Sequence, residues 1–175
     1  MPKKVPARPR RIAVRNLHPR LRLGRAPVVR ALRALDGAHA ALATPESTLA
    51  NAHELSIVFL TDDELARLHA GFLADPSPTD VITFAGRPAL GAAGEICVSA
   101  DAAARYASAH GRDFSDELTL YLVHGWLHLA GHDDRDPRAK RAMRRAEARA
   151  LGLLREKGAL PRFVFSAAKK SVSFR

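Results

Sequence analysis

"LVHGWLHLAGHDD", residues 122–134, decides how this chain folds and where its chemistry lies. Apolar residues fill most of its first nine positions, as in a helix that is buried on nearly every side. His124 and His128 stand four positions apart, so a helix places both imidazoles on one face. Gly131 permits the left-handed turn that ends a helix. The segment therefore predicts a central helix with two candidate metal ligands, followed by a reversal of the chain.

Asp134 is the residue that we predict as the third metal ligand. It follows His124 by ten positions, the offset at which the metzincin pattern HExxHxxGxxH places its third ligand. Zinc accepts a carboxylate oxygen, and catalytic zinc sites commonly have three protein ligands. His132 is the alternative ligand, although a helix break at Gly131 should turn it away. We expect Asp133 to hydrogen-bond to one of the histidines and orient it.

Gly125 stands where a zinc protease has the glutamate that acts as general base. Because glycine has no side chain, the sequence argues against protease activity. A bound metal ion still lowers the pKa of water to about 7, so hydrolysis of a phosphodiester stays chemically reasonable. Two histidines at this spacing are often ordinary core residues. Their combination with a well-placed glycine and a carboxylate favours a metal site.

The flanking sequence alternates strand-like and helix-like segments. Strands are predicted at 12–16, as an edge strand, and at 54–60, 81–85 and 95–99. Helix starts are predicted at Pro27, at the Thr61–Glu64 capping box, and at the caps Ser99, Ser115 and Asp136, with stops at Gly37, Gly111 and Gly152. The predicted class is α+β: a small mixed β-sheet, mostly parallel with an antiparallel edge, packed with about five helices and carrying the metal site on a central helix.

The length of 175 residues suits one domain. We expect a flexible basic leader at 1–10, a single metal-dependent endoribonuclease domain at 11–154, and a basic tail at 155–175. The sequence leaves open whether that tail adds a strand or is disordered. The single cysteine, Cys97, excludes an internal disulfide and is expected to be buried.

Positive charge is concentrated at both ends of the chain, whose net charge is +10. Residues 1–30 contain ten Lys/Arg and no acid, whereas residues 31–134 contain five bases and fifteen acids. This distribution favours contact with RNA or DNA, and an Arg-rich solvated surface is the alternative. We see no signal peptide or membrane span, so a cytoplasmic location is expected; a transit peptide at the Arg-rich start is the alternative.

Residues 124–134 resemble the signature of the YbeY family of ribosomal RNA maturation endoribonucleases, approximately HGxLHLxGyDH. "PTDVITF" (78–84) resembles the family's PTDVLSF, and "GEICVS" (94–99) resembles its GDIvIS. Met143 and Glu147 fall where the final helix of the family usually has Met and Glu. The resemblance covers about residues 12–152, and several motifs in the same order are more specific than the histidines alone.

The resemblance implies that His124, His128 and Asp134 hold one Zn²⁺ per chain. It further implies a single-strand-specific endoribonuclease that processes the 3′ end of small-subunit (16S) ribosomal RNA and supports ribosome quality control. The implied partners are ribosomal RNA and the small ribosomal subunit, with no membrane and no small organic cofactor.

The chain departs from the family pattern at two positions. The family usually has a third histidine where Asp134 stands, and an arginine before PTD aligns with Leu73. The first change lowers the charge of the site by one, and the second puts catalytic strength in question. Beyond water activated by the metal, the catalytic candidates are Thr79, Asp80 and Glu117. A turn-and-cap pair for the first two, and complementarity to the helix dipole for Glu117, are the structural alternatives.

Two other functions fit parts of the sequence. In one, the protein is a non-catalytic, zinc-stabilised ribosome-assembly factor whose basic ends bind RNA. In the other, it is a zinc hydrolase of small molecules, whose substrate binding would be insensitive to salt. The Arg-rich run at 138–149 fits phosphate contact or a merely solvated helix face.

Overall fold

The computed structural model describes residues 9–50, 53–73 and 79–166, apart from the side chains at 72 and 73. Its strands are β1 (Arg11–Asn16), β2 (Leu21–Leu23), β3 (Glu54–Leu60), β4 (Val81–Ala85), β5 (Ala92–Ser99) and β6 (Phe163–Phe165). Its helices are α1 (Arg25–Gly37), α2 (His39–Leu42), α3 (Asp62–Leu73), α4 (Ala100–His110), α5 (Phe114–Leu129) and α6 (Pro137–Glu156), with a 3-10 helix at Pro88–Leu90. None of the described helices is long and apolar enough to cross a membrane.

Four strands form a mixed sheet in the order β1-β3-β5-β4. The pairs β1–β3 and β3–β5 are parallel, whereas β4 pairs antiparallel with β5 at the edge. The sheet and its helices confirm the predicted α+β class. Strand β5 begins at Ala92, earlier than expected, because Gly94 pairs with Leu55 and extends the ladder.

The sheet has a different helix layer on each face. Along β3, Ile57 and Phe59 belong to the main core with α1, α5 and α6. The alternate residues Val58 and Leu60 face a smaller cluster that contains Leu65 of α3. This alternation follows from the two-residue period of a strand that is covered on both sides.

Gly125 lets α5 pack directly on the sheet. A Cβ atom added there would lie 2.4 Å from Ile96 Cγ2 and 3.3 Å from Thr83 Oγ1. Real carbon atoms do not approach so closely, so no larger residue fits without moving the helix. Gly125, which replaces the glutamate of zinc proteases, is therefore required by the close contact between α5 and β5.

Several predicted caps are confirmed. Glu64 accepts a hydrogen bond from the Thr61 N–H at 3.0 Å, and Ser99 accepts from the Ala102 N–H at the start of α4. Asp136 caps α6 by accepting from two backbone N–H groups.

Two boundary predictions were wrong. Asp113, rather than Ser115, caps α5, because the Ser115 hydroxyl is buried and instead hydrogen-bonds to the backbone of Phe163. Gly152 does not end α6, which continues to Glu156; burial of Leu154 holds that last turn against the core. The left-handed glycine after this helix is Gly158, with φ of 56°.

Both segments expected outside the domain contribute structure near its edges. Arg10, in the expected leader, forms a 3.0 Å ion pair with Asp36 and donates to the Leu49 carbonyl. In the expected tail, β6 pairs antiparallel with β2, a short strand that the sequence did not indicate. Residues 1–8 and 167–175 lie outside the described part of the chain.

Asp101 joins three parts of the fold at the start of α4. Its carboxylate accepts hydrogen bonds from Arg20, at 2.6 Å, and from the Asp62 N–H, at 3.2 Å, and it lies 3.1 Å from His18 Nε2. Burial raises the pKa of Asp101, but the Asp62 N–H, His18 and Arg20 together hold it below its ordinary value.

We expect Gly125→Ala to destabilise the protein by about 1–3 kcal/mol, because the clash with Ile96 outweighs the gain in helix propensity. Gly152→Ala is the matched control, since an added Cβ there meets nothing within 4 Å and should stabilise α6. Urea unfolding of the two variants measures both changes. Equal effects at the two glycines would contradict the packing argument.

We expect Asp101→Asn to lower the free energy of unfolding at neutral pH by about 1–3 kcal/mol. The depressed pKa means that the carboxylate stabilises the fold above its unfolded-state pKa, and that this contribution is lost as pH falls through the lower, folded-state pKa. Urea unfolding at pH 7 and pH 3 should therefore show a smaller difference from wild type in acid. Asp116→Asn, in the exposed first turn of α5, controls for the helix dipole.

Candidate metal centre

The end of α5 is built to reverse the chain close to its histidines. The Gly131 N–H donates to the His128 carbonyl at 3.0 Å, and the His132 N–H donates to the Leu127 carbonyl at 3.0 Å. These two bonds form a Schellman motif, with Gly131 at a φ of 94°. The chain beyond this turn carries Asp134 back toward the helix.

A loop between α2 and β3 holds the last turn of α5 in place. The N–H groups of Thr44 and Thr48 donate to the carbonyls of Ala130 and Leu129, at 2.8 and 2.9 Å. The Thr44 hydroxyl also donates to the carbonyl of Gly131, at 3.1 Å. The carbonyls that a helix end leaves unpaired are thus satisfied by the protein itself.

His124, His128 and Asp134 form a cluster that could hold a metal ion, since one ligand atom from each lies within 4.8 Å of the others. The two histidine Nε2 atoms are 2.9 Å apart. Carboxylate oxygens of Asp134 lie 3.7 Å from His124 Nε2 and 3.9 Å from His128 Nε2. The sequence prediction that these three side chains converge agrees with this geometry.

Hydrogen bonds on the other ring nitrogens orient both imidazoles. His124 Nδ1 lies 2.7 Å from Glu147 Oε1 on α6, and His128 Nδ1 lies 3.1 Å from the His132 carbonyl. Both partners are acceptors, so each Nδ1 carries the proton and each Nε2 is left with a lone pair in the neutral ring. Metal-binding histidines are generally held in this way.

This donor set fits a single zinc ion. Two Nε2 lone pairs at 2.9 Å repel each other unless a cation or a proton lies between them. Zinc–nitrogen bonds of about 2.0–2.1 Å in a tetrahedral site separate two nitrogens by about 3.3 Å, so a small opening of the pair suffices. The three side chains are 20%, 27% and 38% exposed, which leaves a solvent-facing side for a substrate.

The two histidines differ in their electrostatics. Burial lowers the pKa of His124, but the hydrogen bond and charge of Glu147, with Asp134 and Asp80, raise it above its ordinary value overall. Burial and then the charge of His124 lower the pKa of His128. The His124 ring therefore lies against the Glu147 carboxylate, whereas the lowered pKa of His128 favours the neutral form that binds metal.

The structure gives other partners to the two neighbouring candidates. His132 lies outside the cluster, with its Nε2 2.7 Å from the carbonyl of Leu42. Asp133 does not orient a histidine: its carboxylate accepts from Arg135 Nε and from the backbone N–H groups of Asp134 and Arg135. Glu147 takes the orienting position on His124. The family resemblance marked Glu147, but nothing in its local sequence shows this contact.

The catalytic candidates lie at different depths. The Thr79 hydroxyl donates to the carbonyl of Val81, as in a turn, and the Asp80 carbonyl accepts from the Ser99 N–H while its side chain is exposed. Glu117 is buried and lies 3.5 Å from Arg112. Burial, together with the negative charges of Asp80 and Glu117, raises the pKa of Tyr121 above its ordinary value.

Leu73 ends α3, and its side chain lies outside the described residues.

Fold and cluster together define a class of small α+β proteins with a candidate single-metal site at the end of a central helix. The family model for endoribonuclease YbeY matches residues 30–155. Because this match covers most of the chain, the protein belongs to the endoribonuclease YbeY family.

Individual relatives agree with the family assignment. A Chlamydia pneumoniae protein named endoribonuclease YbeY is 42% identical over 116 residues, which span 62% of this chain and 73% of that protein. One from Anaeromyxobacter dehalogenans is 41% identical over 107 residues, spanning 58% and 55% of the two chains. A Thermotoga maritima protein solved in solution shares the fold, with a TM-score of 0.53 at 18% identity over 92% of this chain and 99% of its own.

We expect Glu147→Ala to weaken zinc binding by about 10- to 100-fold, because His124 loses the acceptor that fixes its ring and tautomer. Glu147→Gln keeps an acceptor oxygen and should lose less. A competition titration against a chromophoric zinc chelator measures both affinities. Glu156→Gln, an exposed glutamate on the same helix, is the control; unchanged affinity in Glu147→Ala would refute the orienting role.

Proposed function

We propose that this protein is a single-strand-specific, zinc-dependent endoribonuclease that processes the 3′ end of small-subunit ribosomal RNA in the cytoplasm. The observation that carries the proposal is the convergence of two imidazole nitrogens and one carboxylate at the end of α5 in a member of an endoribonuclease family. In this proposal residues 11–154 form the catalytic domain, and ribosomal RNA and the small ribosomal subunit are its partners.

The chain's own residues would prepare the site in three ways. His124, His128 and Asp134 would hold the metal, while Glu147 and the carbonyl of His132 keep protons on the two Nδ1 atoms. Gly125 keeps α5 close to the sheet and leaves no carboxylate beside the first histidine. When bound, zinc polarises a phosphoryl oxygen and lowers the pKa of water to about 7, which a phosphodiester hydrolase needs at neutral pH.

The basic surface of α6 supports an RNA substrate. This helix carries Glu147 next to the cluster, and its exposed residues include Arg138, Lys140, Arg141, Arg144, Arg145 and Arg149. Phosphates bound along such a face would neutralise several charges, so affinity should fall steeply as salt rises. Substrate binding whose affinity does not change with salt concentration would instead favour a hydrolase of small molecules.

The identity of Asp134 supports a second candidate function. A carboxylate in place of the family's neutral histidine ligand adds one negative charge to the site, which partly neutralises a bound metal ion and lowers its power as a Lewis acid. A non-catalytic, zinc-stabilised RNA-binding factor in ribosome assembly is therefore the alternative.

We expect zinc-loaded wild-type protein to cleave a single-stranded RNA that carries the 3′ end of the small-subunit sequence, and His128→Ala to lose this cleavage. Because this proposal assigns most phosphate contacts to the basic face of α6, the variant should bind the same RNA with nearly unchanged affinity. Gel analysis of products and fluorescence anisotropy measure the two properties. His53→Ala, at an exposed histidine just before β3, is the control variant: it keeps all three candidate ligands and should cleave as the wild type does.

The alternative function gives the opposite pattern. Absence of cleavage by the wild type, together with unfolding when zinc is chelated and retained RNA binding by the holoprotein, would replace the nuclease with the assembly factor.

A further inference from the structure

A stacked pair of rings lies on the surface of α4, away from the metal cluster. The ring centroids of Tyr106 and His110 are 3.9 Å apart, with their planes only 20° from parallel. Tyr106 is 40% exposed, although it is a large aromatic side chain, and His110 is exposed as well. The guanidinium carbon of Arg112 lies 5.7 Å from the centre of the tyrosine ring. The surface thus presents a stacked ring pair beside a cation.

These rings line a cavity of about 520 Å³ between α4, α5 and the turn that precedes β4. Its size falls within the range of about 300–1,000 Å³ that is usual for sites that bind small organic groups. The other polar walls are Arg105, Thr79 and Asp80, and Tyr121 forms the α5 side. An exposed carboxylate, two aromatic rings and a guanidinium therefore face one space.

The cavity adjoins the candidate metal centre. Tyr121 precedes His124 by three residues on α5, so the two side chains are neighbours on one helix face. Asp80 lies within electrostatic reach of both, since its negative charge raises the pKa of each of them. A ligand in the cavity would thus lie beside a carboxylate whose charge also acts on His124.

This combination matches an unpaired nucleobase. Bases of single-stranded RNA stack on tyrosine and histidine rings and on guanidinium planes, and their polar edges pair with side-chain acceptors and donors. A paired base in a duplex cannot enter such a cavity, because its faces and edges are already used. Arg105, which also pairs with Asp62, and Arg112, which lies 3.5 Å from Glu117, supply positive charge near the cavity.

We propose that the cavity at Tyr106 and His110 is a base-binding subsite, which takes one unpaired nucleobase of an RNA strand whose backbone passes the metal centre. The inference rests on the proposed nuclease function and names a contact that selects single strands. The ring pair stabilises α4 as well, as side chains four residues apart can do, so its test must keep the helix intact.

The test uses a short single-stranded RNA that carries the fluorescent base 2-aminopurine at one position at a time. Stopped-flow mixing with the zinc-loaded full chain reads the binding phase before cleavage. We expect quenching at one position with wild type and with Tyr106→Phe. Tyr106→Leu keeps an apolar, helix-favouring side chain but removes the ring, so it should lose that quenching and bind RNA about five- to hundred-fold more weakly.

Salt dependence separates stacking from phosphate contact. The slope of log Kd against log salt concentration should be the same in Tyr106→Leu as in wild type, because no phosphate contact is removed. Leu90→Ala removes an exposed apolar side chain outside the cavity and should change neither property. Circular dichroism checks that each variant keeps its helix content.

The outcomes distinguish this inference from the proposed function. Unchanged quenching and affinity in Tyr106→Leu would overturn the subsite even if the wild type cleaves RNA. Tyr106-dependent quenching without cleavage would support the subsite and overturn the nuclease. Absence of RNA binding by the wild type would overturn the subsite, while the cleavage assay reports separately on the nuclease.

Discussion

A glycine pressed against a strand sets the position of the central helix. At Gly125 the backbone of α5 approaches Ile96 so closely that a single methyl group would collide with it. Because α5 carries His124 and His128, the depth of this contact also sets how far the imidazoles project from the sheet. The core on one side and the candidate metal site on the other thus depend on one missing side chain.

The same contact explains how α6 enters the site. With α5 held against the sheet, α6 covers its opposite side, and Met143, Ala146 and Ala150 are fully buried there. Glu147 follows directly on Ala146 and comes within 2.7 Å of His124 Nδ1. A helix whose outer face is strongly basic therefore supplies the Glu147 carboxylate to His124, a candidate metal ligand. The exposed arginines on one face of α6 would attract a polyanion, and Glu147 on the opposite face orients the His124 ring.

Local patterns predicted those features that depend on one element. The four-residue spacing placed both histidines on one face, and Gly131 identified the helix end that returns Asp134. Features that depend on distant packing escaped prediction. Glu147 is far from His124 in sequence, so their contact has no local signal. Ser115 has the residue type of a helix cap, but its hydroxyl hydrogen-bonds to Phe163 of the last strand. Gly152 looked like a stop because the burial of Leu154, which continues the helix, is a tertiary contact.

The loop at Thr44–Thr48 fixes the end of α5 to a part of the chain that is distant in sequence. Its backbone N–H groups occupy carbonyls that most helices leave to water, and a Cβ at Gly131 would lie 2.2 Å from the Thr44 hydroxyl. Two of the candidate ligands stand on a rigid helix, whereas the third follows a turn that this loop clamps. Loops usually tolerate insertions, but here a change of length far from the histidines would move a ligand. The length of this loop is therefore part of what sets the geometry of the candidate metal site.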